Sequence, residues 1–264
     1  MRLTVIGCSG SFAGPASAAS SYLVSADDAD GRTWNVLLDL GSGALGPLQQ
    51  HVDPHALDAV FVSHLHPDHC ADLCGLYVSY TYAPGGAPAA RLPVWGPADT
   101  PRRIALMYHG LEDGDMGRVF DFGRVQDRLP VRVGPLTITP YAVNHPVEAY
   151  GFRVEGDGAV VAYTGDTDSC DNLGPLMADA DLVLADSAFV DGRDHARGIH
   201  LSASRAALAA RDAGGVKRLV LTHLPSWNDP EVCRAQAEEH WPGVEVVQPG
   251  SVHDLGSRVV ASDV

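Results

Sequence analysis

The sequence predicts an α/β protein in which two β-sheets pack together and helices cover their outer faces. Three observations predict this arrangement: short apolar runs open the chain, a second set of such runs occupies its second half, and segments of helical periodicity lie between and after them. Each set of runs suits one sheet, and the helical segments have the apolar spacing of helices laid against a sheet.

The predicted strands are short runs of β-forming residues bounded by Gly, Ser, Asp and Pro turn signals. The first set predicts a meander and consists of Leu3–Ile6, Tyr22–Ser25, Trp34–Asp39 and Ala59–Val62. The second set consists of Leu136–Val143, Tyr150–Glu155, Ala159–Tyr163, Leu182–Ala185, Arg218–Thr222 and Val244–Val246. The two sets together predict two sheets.

Four segments are predicted to be helices: Asp68–Tyr82, Thr100–His109, Ser202–Ala213 and Pro230–His240. Ser202 is the expected N-cap of the third helix, and a pair of glycines ends that helix. Two stretches, Ala83–Ala90 and Gly110–Gly117, are expected to be loops. Both are too short to link domains, and candidate metal ligands lie on either side of them. Residues 1–264 are therefore predicted to form a single domain.

Composition and charge predict a folded protein without an extended nucleic-acid surface. Of the 264 residues, 45% are hydrophobic and 19% are charged, which is typical of a globular chain. The net charge is −15, and Lys217 is the only lysine among eighteen basic residues. The arginines are scattered along the chain, whereas a protein that tracks a polyanion usually carries a clustered basic face.

The N-terminal segment and the cysteines indicate a cytoplasmic protein. Residues Met1–Gly7 alternate in polarity and contain no apolar stretch long enough for a signal peptide or a membrane span. The five cysteines are odd in number and form no CxxC pair, so neither a disulfide framework nor a structural zinc module is expected. No membrane contact is predicted, and a homodimer is the default assembly because it is the commonest one.

The strongest functional signal is a cluster of imidazole and carboxylate groups. Within Ser63–His69 the sequence places His64, His66, Asp68 and His69 directly after an apolar run. A strand end followed by a turn can bring such groups to one point. Imidazole nitrogen and carboxylate oxygen suit zinc, and also manganese or iron, at a hydrolytic site. The cluster therefore predicts a metal centre.

Three more candidate ligands follow predicted strands. These are His145, Asp166 in the segment Tyr163–Thr167, and His223. Taken singly, each is better explained as a loop histidine or a turn aspartate. Because the ends of neighbouring strands can meet at one sheet edge, the three together with the cluster are expected to complete two coordination spheres.

With this set of residues the chain resembles a known family, the metallo-β-lactamase superfamily, and within it the branch of ribonuclease Z and related phosphodiesterases. The resemblance runs through nearly the whole chain. Its motifs, in order, are Gly7-Cys8-Ser9-Gly10-Ser11, Leu38-Asp39-Leu40-Gly41, the HxHxDH cluster, His145 with Tyr150-Gly151, Gly165-Asp166-Thr167, His200-Leu201-Ser202 and Leu221-Thr222-His223. The resemblance implies an αββα sandwich of two mixed sheets flanked by helices.

The resemblance also implies how the ligands are shared between two divalent ions, zinc first, with manganese or iron as alternatives. One ion is implied to bind His64, His66 and His145, and the other to bind Asp68, His69 and His223. Asp166 is implied to bridge them. Asp39 matches a position that orients the cluster by hydrogen bonding, although a plain turn aspartate explains it equally well.

Three residues are implied to take part in catalysis. Asp68 would accept a proton from the attacking water, and His200 would stabilise the phosphorane or protonate the departing oxygen. Asp186 occupies the place of an acidic family residue that holds this histidine. Alternatively, His200 caps the helix that begins near Ser202.

The remaining histidines and Trp227 are given no catalytic part. The histidines without a motif are His51, His55, His109, His195, His240 and His253. Trp227 lies in a Pro-Ser-Trp-Asn loop, where it could stack on a base, but packing against the fold is slightly favoured.

The fold alone does not choose a substrate, because it serves lactams, thioesters, lactones, RNA and nucleotides. The chain lacks the long basic arm with which ribonuclease Z clamps tRNA, so its pattern looks most like bacterial phosphodiesterases that open 3′,5′-cyclic AMP to 5′-AMP. It departs from the class with HxHLDH because Pro67 replaces the leucine. The alternatives are a tRNA 3′-processing endonuclease, a hydrolase of lactones or thioesters, and a binding protein without activity.

Overall fold

The computed structural model describes residues 1–84, 90–111 and 115–256. The strands in these ranges are β1 Arg2–Ser9, β2 Ala18–Ala19, β3 Ser21–Asp27, β4 Thr33–Leu38, β5 Ala59–Phe61, β6 Leu92–Gly96, β7 Phe120–Arg124, β8 Val131–Val133, β9 Leu136–Ala142, β10 Tyr150–Gly156, β11 Ala159–Tyr163, β12 Leu182–Asp186, β13 Leu219–Thr222, β14 Glu245–Val246 and β15 Val252–Asp254. The helices are α1 Leu45–Leu48, α2 Pro67–Cys70, α3 Leu73–Tyr82, α4 Thr100–His109, α5 Leu173–Met177, α6 Ala203–Ala213 and α7 Pro230–Glu238.

The strands form two mixed sheets. The first has the order β15-β1-β3-β4-β5-β6-β7, with β2 paired to β1, and the second has the order β14-β13-β12-β11-β10-β9-β8. In the first sheet the pairs from β15 to β4 are antiparallel and those from β4 to β7 are parallel. The second sheet is antiparallel from β8 to β11 and parallel from β11 to β14. The prediction of two mixed sheets is confirmed.

Three apolar cores hold the layers together. The central core joins residues of both sheets, such as Val36 of β4 and Phe152 of β10. A second core lies between the first sheet and the helices α3 and α4, and a third lies between the second sheet and α5, α6 and α7. Because neighbouring strand residues point to opposite faces, Leu37 belongs to the second core although Val36 belongs to the central one. The order of layers is therefore helix, sheet, sheet, helix.

One predicted helix is interrupted. The segment predicted as Asp68–Tyr82 forms two helices, α2 and α3, that are separated by Ala71 and Asp72. The carboxylate of Asp72 accepts a hydrogen bond from the backbone N–H of Leu45 over 2.8 Å, which ties the break to α1. Since local apolar spacing cannot reveal this distant contact, the sequence predicted one continuous helix.

The other predicted helices are placed correctly, with small differences at their ends. The helix α4 has the predicted bounds, and α7 ends at Glu238 instead of His240. Ser202 is the N-cap residue of α6 as predicted, but its hydroxyl donates to Asp191 and accepts no hydrogen bond from the helix backbone. Of the predicted loops, residues 85–89 and 112–114 lie outside the described residues.

The structure bears on some of the other expectations and does not test the rest. The five cysteines are free thiols. Within the described ranges, no helix has the length and apolar character needed to cross a membrane. That residues 1–264 form a single domain, that the protein is cytoplasmic and that it forms a homodimer stay predictions.

The topology brings the ends of several strands to one edge of the sandwich. His64 comes three residues after β5, Asp166 three residues after β11, and His223 directly after β13. The strands β11, β12 and β13 are parallel, so their carboxyl ends meet at the same edge, where an open α/β sheet binds its ligands. This edge holds the candidate site.

Candidate metal centre

The first group of potential metal ligands consists of three imidazoles. His64 Nε2 lies 3.0 Å from His66 Nδ1, and His145 Nε2 lies 3.2 Å from the same atom. One donor atom from each residue lies within 4.8 Å of the others. His64 and His66 are placed by the turn that leads into α2, whereas His145 follows β9 on the other sheet. The fold therefore joins distant segments into a set of three donors.

The second group contains two carboxylates and two imidazoles, namely Asp68, His69, Asp166 and His223, whose donor atoms also lie within 4.8 Å of one another. Asp166 is central: its carboxylate oxygens lie 3.2 Å from His69 Nε2 and 3.2 Å from His223 Nε2. The same carboxylate lies 3.6 Å from His64 Nε2, which belongs to the first group. Asp166 is thus placed between the two groups, where a bridging ligand would lie.

Three polar atoms of the second group are buried without a hydrogen-bond partner. These atoms are His69 Nε2, His223 Nε2 and Asp166 Oδ1. Leaving a buried polar atom unpaired costs about 1–3 kcal/mol, so such atoms in a folded protein call for an explanation. A divalent cation would supply the missing partner for all three. The nitrogen and oxygen donors fit zinc, manganese or iron equally well.

Three of the imidazoles are oriented through their Nδ1 atoms. His145 Nδ1 donates to the carbonyl of Ile199 over 2.9 Å, and His223 Nδ1 lies 3.0 Å from the hydroxyl of Ser20. His69 Nδ1 lies 2.8 Å from a carboxylate oxygen of Asp39. This arrangement leaves Nε2 of each ring directed toward the donor group, as metal-binding histidines require.

Asp39 organises the cluster from beneath. Its side chain is fully buried and accepts hydrogen bonds from the backbone N–H of Ser63 (2.6 Å), the hydroxyl of Ser63 (2.7 Å) and the hydroxyl of Tyr163 (2.8 Å), besides His69. The backbone of Asp39 has φ of 60°, a left-handed conformation that aspartate tolerates at turns. Both predicted explanations thus apply: Asp39 ends a strand in a turn, and it orients the ligand cluster.

Electrostatics of the site favour a cation. Burial lowers the pKa of His64 well below its usual range, and burial likewise lowers the pKa of His223, so both imidazoles are neutral and can donate a lone pair. Burial also opposes charge on His69 and Asp166. At His69 the charges of Asp166 and Asp39 outweigh burial and raise the pKa well above its usual value. At Asp166 the neighbouring imidazoles, His223 first and then His69, outweigh burial and lower the pKa well below its usual value. Asp166 therefore stays ionised and needs a positive partner.

Asp68 lies beside both imidazoles of the second group. One of its oxygens is 3.4 Å from His69 Nε2 and 3.8 Å from His223 Nε2. Burial raises the pKa of Asp68, but the hydrogen bond and charge of His69 more than offset it and hold the pKa well below the usual range. The carboxylate is therefore ionised at neutral pH and can accept a proton or bind a cation.

His200 is held by Asp186 as the resemblance implied. His200 Nδ1 lies 2.9 Å from Asp186 Oδ2, and Asp186 is fully buried at the end of β12. Burial lowers the pKa of His200, but Asp186 outweighs it and raises that pKa to about 9. The helix α6 has no side-chain cap, so the alternative that His200 caps it is not supported.

His200 also forms a possible third donor group together with His145 and Asp166. Its Nδ1 is 4.0 Å from Asp166 Oδ2 but 2.9 Å from Asp186, to which it donates. This Nδ1 is therefore engaged by Asp186 and is not free to bind a metal ion. The geometry therefore suits His200 better for proton donation than for metal binding.

Several site residues escaped the sequence analysis. Ser20, Ser63 and Tyr163 hold ligands or Asp39 in place, yet a serine or a strand tyrosine carries no signal of such a role. Asp168 and Arg205 were missed as well, although Asp168 lies next to the Gly165-Asp166-Thr167 motif. None of the six histidines left without a role belongs to a donor group among the described residues.

Trp227 packs against the fold only in part. Its side chain is 60% exposed, and its ring lies 5.1 Å from the ring of Phe12, which is itself 41% exposed. The backbone N–H of Gly10 donates to the carbonyl of Leu224 over 3.1 Å, so the loops that carry the two rings meet next to His223.

Comparison with known proteins identifies the class to which this fold and site belong. Residues 34–224 match the family model described as the Beta-lactamase superfamily domain. The match covers more than half of the chain and contains all members of both donor groups. The chain belongs to this family, which confirms the metallo-β-lactamase fold that the motifs predicted.

Individual relatives share most of the chain. An uncharacterized protein of Mycobacterium tuberculosis is 40% identical over 246 residues, which cover 92% of this chain and 88% of the relative. The probable metallo-hydrolase YhfI of Bacillus subtilis is 32% identical over 255 residues, covering 96% and 99%. Its crystal structure matches with a TM-score of 0.82 at 31% identity, again covering 96% and 99%. The family match and the likeness to YhfI confirm that the protein is a metal-dependent hydrolase.

More distant matches include named nucleases. Ribonuclease Z of Salinibacter ruber is 28% identical over 291 residues, covering 84% of this chain and 86% of that enzyme. The structure of yeast PDE1 matches with a TM-score of 0.68 at 12% identity, covering 97% and 99%. At that identity the likeness to PDE1 shows the shared fold alone.

Proposed function

We propose that the protein is a binuclear metal-dependent phosphodiesterase that hydrolyses a small nucleotide, 3′,5′-cyclic AMP to 5′-AMP. The observation that carries this proposal is the position of Asp166 between two donor groups, with the His200–Asp186 pair beside them. A site with two linked donor groups and a nearby proton donor suits displacement at phosphorus, where both the attacking and the leaving oxygen need stabilisation.

In this proposal His64, His66 and His145 would hold one divalent ion, Asp68, His69 and His223 would hold the other, and Asp166 would be shared between them. We propose zinc, with manganese or iron as alternatives that the same donors accept. Two such ions supply an activated water at neutral pH and neutralise the charge that builds on the phosphoryl oxygens.

The protein's own side chains would move the protons. Asp68, which is ionised and lies at the site, accepts a proton from the attacking water. His200 carries a proton at neutral pH and delivers it to the departing 3′ oxygen of the ribose. Asp186 keeps the imidazole oriented and charged through the 2.9 Å hydrogen bond to Nδ1.

The charge distribution supports a small substrate over a folded RNA. The chain carries a net charge of −15. Many of its arginines are paired with acidic neighbours, as in Arg2–Asp254, Arg91–Asp121 and Arg218–Glu245. Arginines neutralised in this way release few counterions from a polyanion, and that release supplies most of the affinity for nucleic acid.

The exposed aromatic pair supports a substrate with a base. Trp227 lies four residues after His223, so its Cα is within about 14 Å of the Cα of His223, because an extended chain advances at most about 3.6 Å per residue. An exposed indole at this distance can stack on a nucleobase whose phosphate lies at the donor groups. Such stacking is sequence-tolerant and does not require a basic surface.

Replacing Trp227 by alanine is expected to raise the KM for cyclic AMP by about fivefold to a hundredfold, because base stacking is worth about 1–3 kcal/mol. The value of kcat should stay unchanged, since stacking contributes equally to the ground state and the transition state. Steady-state kinetics measure both, and Trp227→Phe should restore most of the affinity.

Tyr82 offers a matched control for this variant. It is 68% exposed and is the last residue of α3. The ten residues of α3 make the helix about 15 Å long, and the histidine cluster precedes its opposite end. Tyr82→Ala should leave the KM as in wild type. An unchanged KM in Trp227→Ala, or an equal increase in both variants, would contradict the stacking role.

The function itself is tested by substrate comparison. Purified protein is stripped with a chelator, reloaded with zinc, manganese or iron, and assayed on cyclic AMP, bis(p-nitrophenyl) phosphate, a 3′-extended tRNA and an acyl lactone. We expect the reloaded protein to hydrolyse both small phosphodiesters and the stripped protein to hydrolyse neither. Cleavage of the lactone with silence on every phosphodiester would refute the proposal in favour of a non-phosphoryl hydrolase.

The second candidate is tRNA 3′-end processing. The 28% identity to a ribonuclease Z over most of both chains favours it. Against it, residues between Asp166 and His200 form only α5, β12 and a short loop, which leaves no room there for an RNA-clamping arm. Efficient cleavage of the extended tRNA in the same assay, without hydrolysis of cyclic AMP, would decide for this candidate.

A further inference from the structure

A buried ion pair lies behind the site, outside both donor groups. Asp168 is 1% exposed and comes two residues after Asp166. Its Oδ1 accepts hydrogen bonds from the backbone N–H of Ser169 over 2.7 Å and from a terminal nitrogen of Arg205. Its Oδ2 accepts from the backbone N–H of Gly198 over 2.7 Å and lies 3.0 Å from Arg197 Nε. The carboxylate is therefore bonded on both oxygens.

Arg205 connects this carboxylate to the segment that carries His200, the proposed proton donor. It lies in α6, and its second terminal nitrogen donates to the carbonyl of His200 over 2.8 Å. The planar guanidinium presents several donors in a fixed fork, so one side chain can bind Asp168 and His200 at the same time. Arg197 also contacts Asp168, but its side chain is 64% exposed, whereas that of Arg205 is 18% exposed.

The segment Gly198–His200 is thus fastened at both ends, by Asp168 at Gly198 and by Arg205 at His200. The residue between them has a part in the metal centre, because the carbonyl of Ile199 accepts the hydrogen bond from His145 Nδ1. The backbone N–H of Asp168 also donates to the carbonyl of Asn144 over 2.8 Å, next to His145. One short segment therefore orients a potential metal ligand and carries the proton donor.

We propose that Asp168 and Arg205 form a positioning pair that sets the segment Gly198–His200, and through it both the direction of His145 toward the metal and the place of His200 at the substrate. The effect on turnover rests on the proposed function, whereas the effect on metal binding through His145 does not. Neither residue touches the substrate or the reacting atoms in this proposal.

The expected size of the effect follows from the distances involved. Partners that orient metal ligands typically change metal affinity or activity by about 10-fold to 100-fold when they are removed. A catalytic group displaced by about 1 Å can cost about a hundredfold in rate. Because Arg205 acts on both functions, its loss should lower metal affinity and kcat together while leaving the KM close to the wild-type value.

The test uses Arg205→Met, Arg205→Lys and, as a matched control, Arg197→Met. The control removes a guanidinium from the same carboxylate without touching the carbonyl of His200. Zinc affinity is measured by competition with a chromogenic chelator, and kcat and KM are measured on bis(p-nitrophenyl) phosphate. We expect Arg205→Met to lose about 10-fold or more in kcat and in zinc affinity. Arg197→Met should match wild type in both.

Arg205→Lys separates positioning from charge and guards against misfolding. A lysine keeps the charge beside Asp168 but lacks the fork that reaches His200, so zinc affinity and kcat should recover only in part. Thermal unfolding of each variant shows whether it is folded. If Arg205→Met is unfolded, the zinc affinity and kcat of Arg205→Lys test the positioning pair instead. Full wild-type values in the folded Arg205 variant, or equal losses in Arg197→Met, would overturn the proposal.

Failure of the proposed function would look different. If the zinc-loaded wild type hydrolyses no phosphodiester, the proposed function falls. Zinc affinity still tests the positioning pair in that case, because His145 depends on Ile199 whatever the substrate is. A drop in zinc affinity in Arg205→Met but not in Arg197→Met would then support the pair, and no drop would refute it.

Discussion

Asp166→Ala is expected to abolish hydrolysis and to remove most of the bound metal. Among the described residues, Asp166 is the one carboxylate within 4.0 Å of ring nitrogens of His64, His69 and His223 alike, so its loss weakens both donor groups together. In the variant, the buried Nε2 atoms of His69 and His223 would keep Asp68, at 3.4 Å and 3.8 Å, but would lose the carboxylate that lies 3.2 Å from each of them. Mutual repulsion of any protons on these imidazoles then opposes the closed arrangement.

The expected loss of rate is at least about a hundredfold, because metal stabilisation of the transition state is worth several kcal/mol and about 1.4 kcal/mol corresponds to tenfold. Elemental analysis of the purified protein gives the metal content, and initial rates on bis(p-nitrophenyl) phosphate give the activity. The matched control is Asp171→Ala, an exposed aspartate on the same loop. It should keep full metal and full rate.

Two results for Asp166→Ala would contradict a bridging role. Two metal ions per chain with unchanged rates would remove Asp166 from the centre altogether. Retention of both ions with a large loss of rate would show that Asp166 acts on the reaction without being needed to hold the metal. Neither result is compatible with a bridging ligand.

The metal centre could be predicted because its ligands follow strands whose apolar runs are easy to recognise. His64, Asp166 and His223 each come within three residues of the end of a buried parallel strand. Such strands are largely apolar on both faces, as the buried residues of β5, β11 and β13 show, so their ends are visible in the sequence. The parallel strands β11, β12 and β13 bring their carboxyl ends to one edge of the second sheet, and the 3.6 Å between His64 and Asp166 shows that the segment after β5 reaches the same place.

The strands β6, β7 and β8 were not predicted, for reasons visible in their residues. Pro93 in β6 and Gly123 in β7 are strand-weakening residues, and β8 has only three residues. In each case the strand is stabilised by the sheet: β6 pairs with β5 and β7, and β8 pairs with β9. Such tertiary pairing overrides local preference, and the sequence pattern carries no sign of it.

The residues that orient the ligands were equally invisible. Ser20 precedes β3 and Tyr163 ends β11, and both are buried by the same packing that buries their apolar neighbours. Their hydrogen bonds join residues 203 and 124 positions apart in the chain. A hydroxyl group in a strand is equally compatible with a solvent-facing side chain, so only the folded arrangement identifies its partner.

His200→Ala is expected to keep both metal ions and to lose about a hundredfold or more of the rate on cyclic AMP, because general acid catalysis contributes about 10²-fold to 10⁴-fold. His200 donates to Asp186, and in the proposed function it carries the proton that the departing ribose oxygen needs. The loss should be much smaller on bis(p-nitrophenyl) phosphate, since p-nitrophenolate is a weak base that departs without a proton. Elemental analysis and the ratio of the two rates together identify a proton donor.

Asp186→Asn supplies the matched control, because it keeps a hydrogen-bonding oxygen beside His200 but removes the charge. Asp186 raises the pKa of His200 to about 9, and the acid works only while it is protonated, so the wild-type rate should fall as pH rises through that value. Without the charge the pKa drops, and the fall should begin at lower pH. Loss of a metal ion in His200→Ala would instead make His200 a ligand, and equal losses on both substrates would exclude it as the acid.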